Sequence, residues 1–223
     1  YVVPSKDRLK FISNFSGSAG FAIILKNKNF LFVDGRYTIQ AHRQSGKKFK
    51  VITIPKKLPK DVIKFSKKTI IGFDPKLHTQ KQLNLLFRFK NTELKSISQN
   101  LVDLLWDHKP NDLIKPFFSI SHKNSGETSL KKIRKIKSIL FKNKVDLLLV
   151  TAPENVAWIL NIRGFDNSFS PIPNSRLLVS QKGEVILFAD PKKLLKLKNI
   201  KASIIDEKKI KNVLNNFSRK KIW

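Results

Sequence analysis

The chain contains one unit written twice. A shift of 147 residues lays the segment from Val3 to Gly17 over that from Val150 to Gly164, matching Val3 with Val150, Ile12 with Ile159, Asn14 with Asn161 and Gly17 with Gly164, and setting Phe11 opposite Trp158. After each glycine come two short apolar runs, Phe21–Leu25 with Phe30–Val33 in the first copy and the stretch Arg176–Ala189 in the second. An aspartate, Asp34 or Asp190, closes each pair. Runs rich in branched and aromatic residues and parted by a polar turn, as at Lys26-Asn27-Lys28-Asn29, predict buried β-hairpins. A strand–helix–hairpin–helix unit present twice predicts two domains of similar fold. The 223 residues give each copy about 100, enough for its own core.

The remaining pattern alternates strands and helices, which predicts an α/β fold with a partly parallel sheet in each domain, flanked by helices. Tyr1–Val3 reads as a strand stub before Pro4, and Ser5 as the cap of a helix with Leu9 and Ile12 on one face. Lys50–Pro55, Lys68–Asp74 and Leu94–Ile97 read as strands, with a helix through Leu83, Leu86 and Phe87 introduced by Pro75 and Thr79. Leu101–Trp106 reads as a short helix, and the polar break Lys109-Pro110-Asn111-Asp112 places the domain boundary between 114 and 115, giving domains 1–114 and 115–223. From Glu127 to Lys142 the apolar residues Leu130, Ile133, Ile136, Ile139 and Leu140 share one helical face. Lys131, Lys132, Arg134, Lys135 and Lys137 share the other, which reads as solvated. Asp146–Val150 is a further strand, and Pro153-Glu154 opens a further helix.

Two stretches have the form of functional segments. Asp34-Gly35-Arg36 stands where a strand hands over to a helix, a position from which a guanidinium can reach a carboxylate or carbonyl. The alternative is local: Asp34 caps the helix and Arg36 pairs with it. Gly17-Ser18-Ala19-Gly20 has the small residues of an anion nest. A strand rather than a helix follows it, however, and the Gly-Lys-Ser/Thr ending of a phosphate loop is missing, so a closely packed turn is the expected structure. The second copy carries an insertion, Phe165–Asn174, too rich in Pro and Ser for regular structure and of a kind that often carries function; Arg163 at its edge and Asp166 within it are expected to pair across a turn, with substrate contact as the alternative.

The inventory of reactive groups is short. There is no cysteine, so thiolate chemistry, thiolate metal sites and disulfides are excluded. The four histidines, His42, His78, His108 and His122, fall on separate elements without metal-binding spacing. The 16 carboxylates are scattered, no Gly-x-Ser-x-Gly elbow occurs, and Asp103, Asp107 and His108 read as a solvated helix end. No catalytic residue and no metal ligand is therefore assigned. The net charge of +29 favours polyanions, but only eight of the 45 basic residues are Arg and the lysines are dispersed. Nucleic acid is thus not the expected partner, and a basic nucleic-acid-binding or assembly module stands as the alternative reading. No apolar run reaches the length of a membrane span, so a cytoplasmic protein is expected. A chain without Met that begins at Tyr1 is expected to be a fragment or a processed product.

Four segments in order resemble the Xaa-Pro aminopeptidase (aminopeptidase P) family. They are Arg8-Leu-Lys-Phe-Ile-Ser-Asn-Phe-Ser-Gly-Ser-Ala-Gly, Phe32-Val-Asp-Gly-Arg-Tyr-Thr-Ile-Gln-Ala, Leu101-Val-Asp-Leu-Leu-Trp-Asp-His-Lys-Pro and Val156-Ala-Trp-Ile-Leu-Asn-Ile-Arg-Gly-Phe-Asp. The resemblance implies two creatinase-type amino-terminal domains that wall the active site and support a homodimer. It implies that two divalent metals, Mn or Zn, and the removal of an N-terminal residue preceding proline belong to a further pita-bread domain absent from this chain. It also implies that the arginine of the Asp-Gly-Arg-Tyr motif, here Arg36, contacts the proline-containing peptide substrate. The family's link before the first helix is longer and richer in acidic and histidine residues than Pro4–Arg8.

Overall fold

The computed structural model describes residues 2–111, 114–167, 169–195, 197 and 200–223. Of the sequence expectations, Tyr1 in the strand stub, Asp112 in the proline-marked break and Ser168 in the insertion lie outside them. The chain divides into two compact units, 1–111 and 112–223.

In the first unit Pro4 opens a 3-10 turn, Pro4–Lys6, so the helix α1 (Arg8–Ser13) starts later than Ser5 suggested. Its cap is Asp7, whose carboxylate accepts from the Lys10 amide. Val3 is extended but belongs to no sheet. Asn14 ends α1 at φ 59°. The hairpin follows as β1 (Gly20–Ile24) and β2 (Asn29–Asp34), with Phe21 opposite Phe32. After α2 (Thr38–Ser45) the chain returns in β3 (Lys50–Ile54), which runs parallel to β2.

The central strand β2 explains the unbroken run Phe30–Val33, because both of its faces are covered. Leu31 and Val33 pack with Phe15, Ala41 and Phe49, while Phe30 and Phe32 point the other way into Ile23, Ile52, Ile63, Leu83 and Phe87. The second cluster is completed by α3 (Pro59–Val62) and by α4 (Gln80–Gln82) with its π-turn extension Leu83–Phe87. The parallel pair β4 (Thr69–Phe73) and β5 (Thr92–Ser96) also adds to it, through Phe73 and Leu94. Burying a phenylalanine of this kind contributes about 2–3 kcal/mol. The short helix α5 (Leu101–Leu105) ends the unit and is tied to α1: Arg8 Nε and Nη2 each lie 2.8 Å from an oxygen of Asp103, and Lys109 adds a contact of 2.6 Å. Asp103 therefore belongs to an ion triad, where a solvated helix end was expected.

The second unit begins with β6 (Phe118–Ser119), α6 (His122–Ser125) and α7 (Ser129–Lys142), the last capped by Thr128. Then come β7 (Leu147–Val150), α8 (Pro153–Leu160) and β8 (Ile162–Arg163), which pairs with β6. The hairpin β9 (Arg176–Ser180) and β10 (Val185–Phe188) sits in a four-stranded sheet ordered β11-β10-β9-β7, with β11 (Ser203–Ile205) parallel to β10. One face packs Leu177, Val179 and Leu187 against Ile133, Val156 and Ile159. The other packs Leu178 and Phe188 toward α9 (Ile210–Asn215).

The duplication is visible in backbone geometry. Asn161 ends α8 at φ 54°, as Asn14 ends α1, and in each unit the second hairpin strand takes a parallel neighbour, β3 or β11. The matched glycines lie under aromatic rings: a Cβ on Gly17 would stand 2.2 Å from the Phe15 ring, and one on Gly164 would stand 2.8 Å from that of Phe117. Gly17-Ser-Ala-Gly20 is thus the closely packed turn its small residues suggested.

One helix departs from its pattern. Lys132 of α7 is 1% exposed, although its helical phase places it among the solvated lysines. Its ammonium donates to the Trp158 carbonyl at 2.7 Å and to Asn161 Oδ1 at 2.6 Å, and stands 4.3 Å from the Trp158 ring centroid. The end of α8 offers carbonyl oxygens that need donors and favour a cation, and Lys132 supplies both.

Candidate functional site

The two sequence segments singled out for function meet in the first unit. At the end of β2 the Asp34 carboxylate accepts from the Arg36 amide at 3.0 Å and from Arg36 Nε at 2.8 Å. This turns the chain through a 3-10 segment, Gly35–Tyr37, into α2. Bonding to Arg36 holds the Asp34 carboxyl below its ordinary range. Thr38 Oγ1 lies 2.9 Å from Thr53 Oγ1 and ties the same turn to β3. The Arg36 side chain is 73% exposed, with its guanidinium carbon 5.5 Å from the centre of the Tyr37 ring.

The turn from Asn14 to Gly20 is bound to the other side of this corner. Ser18 Oγ and Tyr37 Oη are 2.7 Å apart, and the Phe15 ring meets that of Tyr37 edge-on at 5.8 Å. Gln44 accepts from the Ser16 amide at 2.9 Å and donates to Ser16 Oγ at 2.9 Å, while Gln40 donates to the same hydroxyl and Asn14 Nδ2 to the Gln44 carbonyl. The result is an exposed guanidinium carried at a strand end that the hydrogen-bonded Asn14–Gly20 turn braces through Tyr37. Such an arrangement binds a carbonyl or carboxylate by charge-assisted hydrogen bonds. It holds no nucleophile with an adjacent base.

The corresponding corner of the second unit has the same turn with different chemistry. Asp190 accepts from the Lys192 amide at 2.9 Å, and a 3-10 segment Pro191–Lys193 follows, so Lys192 stands where Arg36 stands in the first unit. At the insertion Arg163 and Asp166 do not pair as expected. Arg163 donates to the carbonyls of Ala157 and Ile162, at 3.2 and 2.8 Å. Asp166, almost fully buried, takes Lys193 as its ion partner and accepts from the Asn174 amide at 2.7 Å. The reason is reach. Lys193 comes from the 3-10 segment that follows β10 and enters beside the Asp166 carboxylate, whereas the Arg163 side chain, on β8, folds back on the preceding helix α8. The sequence pattern gave no signal for the Lys193 contact, 27 residues away.

Among the described residues no group of three or more His, Asp or Glu side chains stands close enough to hold a metal ion. Several carboxylates are already committed, Asp34 to Arg36, Asp103 to Arg8 and Lys109, and Asp166 to Lys193. The donor set of a two-metal centre is not met by these residues, and no chemical step is assigned to them.

A fold of two duplicated α/β units, each with a short Asn-ended helix and a hairpin, agrees with two family profiles that share the description creatinase/prolidase N-terminal domain. They match residues 1–105 and 108–223. The chain belongs to this family. It is 35% identical over 217 residues to a probable Xaa-Pro aminopeptidase P of Laccaria bicolor and 33% identical over 218 residues to the Xaa-Pro aminopeptidase app-1 of Caenorhabditis elegans, each alignment covering 87% of the chain. A crystal structure of X-prolyl aminopeptidase from Caenorhabditis elegans, described as a cytosolic enzyme with a di-nuclear active site, superposes with a TM-score of 0.84 over 98% of the chain at 27% identity. The chain spans about a third of the length of these curated relatives, 33% and 35%, and 38% of the solved chain.

Proposed function

We propose that this chain is the non-catalytic amino-terminal part of an Xaa-Pro aminopeptidase, made of domains 1–114 and 115–223, and that it acts on peptide binding rather than on bond cleavage. Arg36 donates a charge-assisted hydrogen bond to the bound proline-containing peptide and, with the corner that carries it, gates the approach of substrate. The observation that carries this reading is the Asp34-Gly35-Arg36 corner, an exposed guanidinium on a strand end in a family whose relatives are named for Xaa-Pro cleavage. Two divalent metals, Mn or Zn, belong in this reading to residues outside the chain, and the full-length protein is a cytoplasmic homodimer.

The experiment compares the 223-residue chain with the full-length protein in an assay of a peptide with proline second, each with Mn2+ or Zn2+. Cleavage by the full-length protein and none by the shorter chain is expected. Turnover by the shorter chain that tracks with the protein through purification would place the chemistry within it and overturn the reading.

A further inference from the structure

The assignment of Arg36 to substrate leaves open what aims its guanidinium, since a side chain 73% exposed gains little from packing. Asp34 and Tyr37 both constrain it. Asp34 holds Nε at 2.8 Å, and the ring of Tyr37 lies 5.5 Å from the guanidinium carbon. Tyr37 is in turn fixed at both ends of its side chain: its hydroxyl is 2.7 Å from Ser18 Oγ, and its ring meets the fully buried ring of Phe15 edge-on at 5.8 Å. Ser18 belongs to a turn that is itself immobilised. Gly17 and Gly20 leave the room that the Phe15 ring fills, where a Cβ on either would crowd it, and Ser16 is held by both Gln40 and Gln44. A chain of contacts therefore runs from the buried Phe15 through Tyr37 to an exposed cation.

We infer that Tyr37, locked by its hydrogen bond to Ser18, is a positioning residue that presents the Arg36 guanidinium to the peptide. The inference rests on the reading of Arg36 as a substrate contact. A guanidinium held over a fixed aromatic ring and tethered at Nε loses less freedom on binding than one on a free side chain, so ordering it in advance strengthens binding without altering the chemical step. Removing the hydroxyl frees the ring to tilt away from Arg36 and Phe15, and the loss falls on KM. The effect has to pass through Arg36, because Tyr37 supplies orientation and Arg36 supplies the bond.

The test is a double-mutant cycle in the full-length enzyme, using Tyr37→Phe, Arg36→Ala and the pair, with KM and kcat measured on a proline-second peptide. Tyr37→Phe keeps the ring and removes one oxygen, and the thermal midpoint of each variant is recorded to exclude loss of fold. Ser18→Ala, which removes the other half of the same hydrogen bond, serves as a second variant. The expected result is a KM raised about threefold to fivefold by Tyr37→Phe or Ser18→Ala with kcat unchanged, and no further rise when Tyr37→Phe is added to Arg36→Ala. If Arg36→Ala raises KM while Tyr37→Phe has no effect, or has its full effect in the Arg36→Ala background, Tyr37 does not act through Arg36 and the inference fails alone. If Arg36→Ala itself leaves KM unchanged, the reading of Arg36 fails and takes the inference with it.

Discussion

Asn14 and Asn161, 147 residues apart, end their helices in the same left-handed conformation, at φ 59° and 54°, yet they hold different loads. Asn14 donates through its side chain to the Gln44 carbonyl. Asn161 donates to the Glu127 carbonyl and accepts from the buried ammonium of Lys132. Glycine adopts this backbone without strain, so an Asn→Gly change isolates the side-chain contribution. Asn14→Gly is expected to cost about 0.5–1 kcal/mol in urea unfolding. Asn161→Gly is expected to cost about 2–3 kcal/mol, because it strips a buried cation of a partner. Equal costs would mean that Lys132 does not depend on Asn161.

Lys132 itself offers a second test. Burial lowers its pKa from the ordinary lysine range, with Glu127 opposing and Arg163 adding to the shift. A cation whose folded pKa is depressed binds its proton more tightly in the unfolded chain. Its charge therefore works against folding, and that penalty is relieved as pH rises from the folded value toward the ordinary lysine range. Lys132→Met removes the titration but leaves the Trp158 carbonyl and Asn161 Oδ1 without this donor. The variant is expected to lose about 1–3 kcal/mol at pH 7 and to show a flatter rise in stability on the alkaline side. Denaturant unfolding at several pH values between neutral and alkaline distinguishes the two slopes.

The ion triad in the first unit makes the opposite prediction in acid. The Arg8 hydrogen bonds, reinforced by Lys109, lower the Asp103 carboxyl to about 2. A carboxylate whose folded pKa is depressed contributes stability that is present above its unfolded value, near 4, and lost as pH falls through about 2. Asp103→Asn is therefore expected to cost about 1 kcal/mol at pH 7, a cost that shrinks as pH falls below about 4 and vanishes only below the folded value, where both proteins carry a neutral side chain. A cost that persists unchanged in acid would assign the loss to packing of α5.

The core of the first unit gives a stability prediction that follows from topology. Phe32 is fully buried on the central strand, stacked on Phe21 at 4.9 Å. Phe32→Ala is expected to cost about 3–5 kcal/mol, read as a shift of the urea midpoint. Phe11→Ala, on an exposed face, is expected to cost much less despite the Phe11 stack on Trp106 at 4.7 Å.

What the sequence made legible was local or repeated. The hairpin strands followed from unbroken apolar runs, and the Asp34-Gly35-Arg36 corner was visible because a strand signal ends where a helical one begins. The local pairing of Asp34 with Arg36, one of the two readings, is present in the structure and leaves the arginine exposed. What was not legible depends on contacts distant in sequence. Arg8 and Asp103 are 95 residues apart, and Lys193 reaches Asp166 across 27. Lys132 looked solvated because the polar stripe of α7 contains it, and only the end of α8 packed against that stripe explains its burial. Short elements such as β6, β8 and β11 carry too few residues for periodicity to register. The lock between Ser18 and Tyr37 joins two segments that were each noticed, but nothing in the order of residues indicates that the hydroxyls meet.

The most direct measurement is the steady-state kinetics of the full-length protein and its Arg36→Ala variant on a peptide with proline in the second position. A chain that binds substrate without performing chemistry requires KM to rise about tenfold or more while kcat stays within about a factor of two. Unchanged kcat/KM would contradict the role given to Arg36, and a fall in kcat at constant KM would mean that this part of the protein takes part in the chemical step.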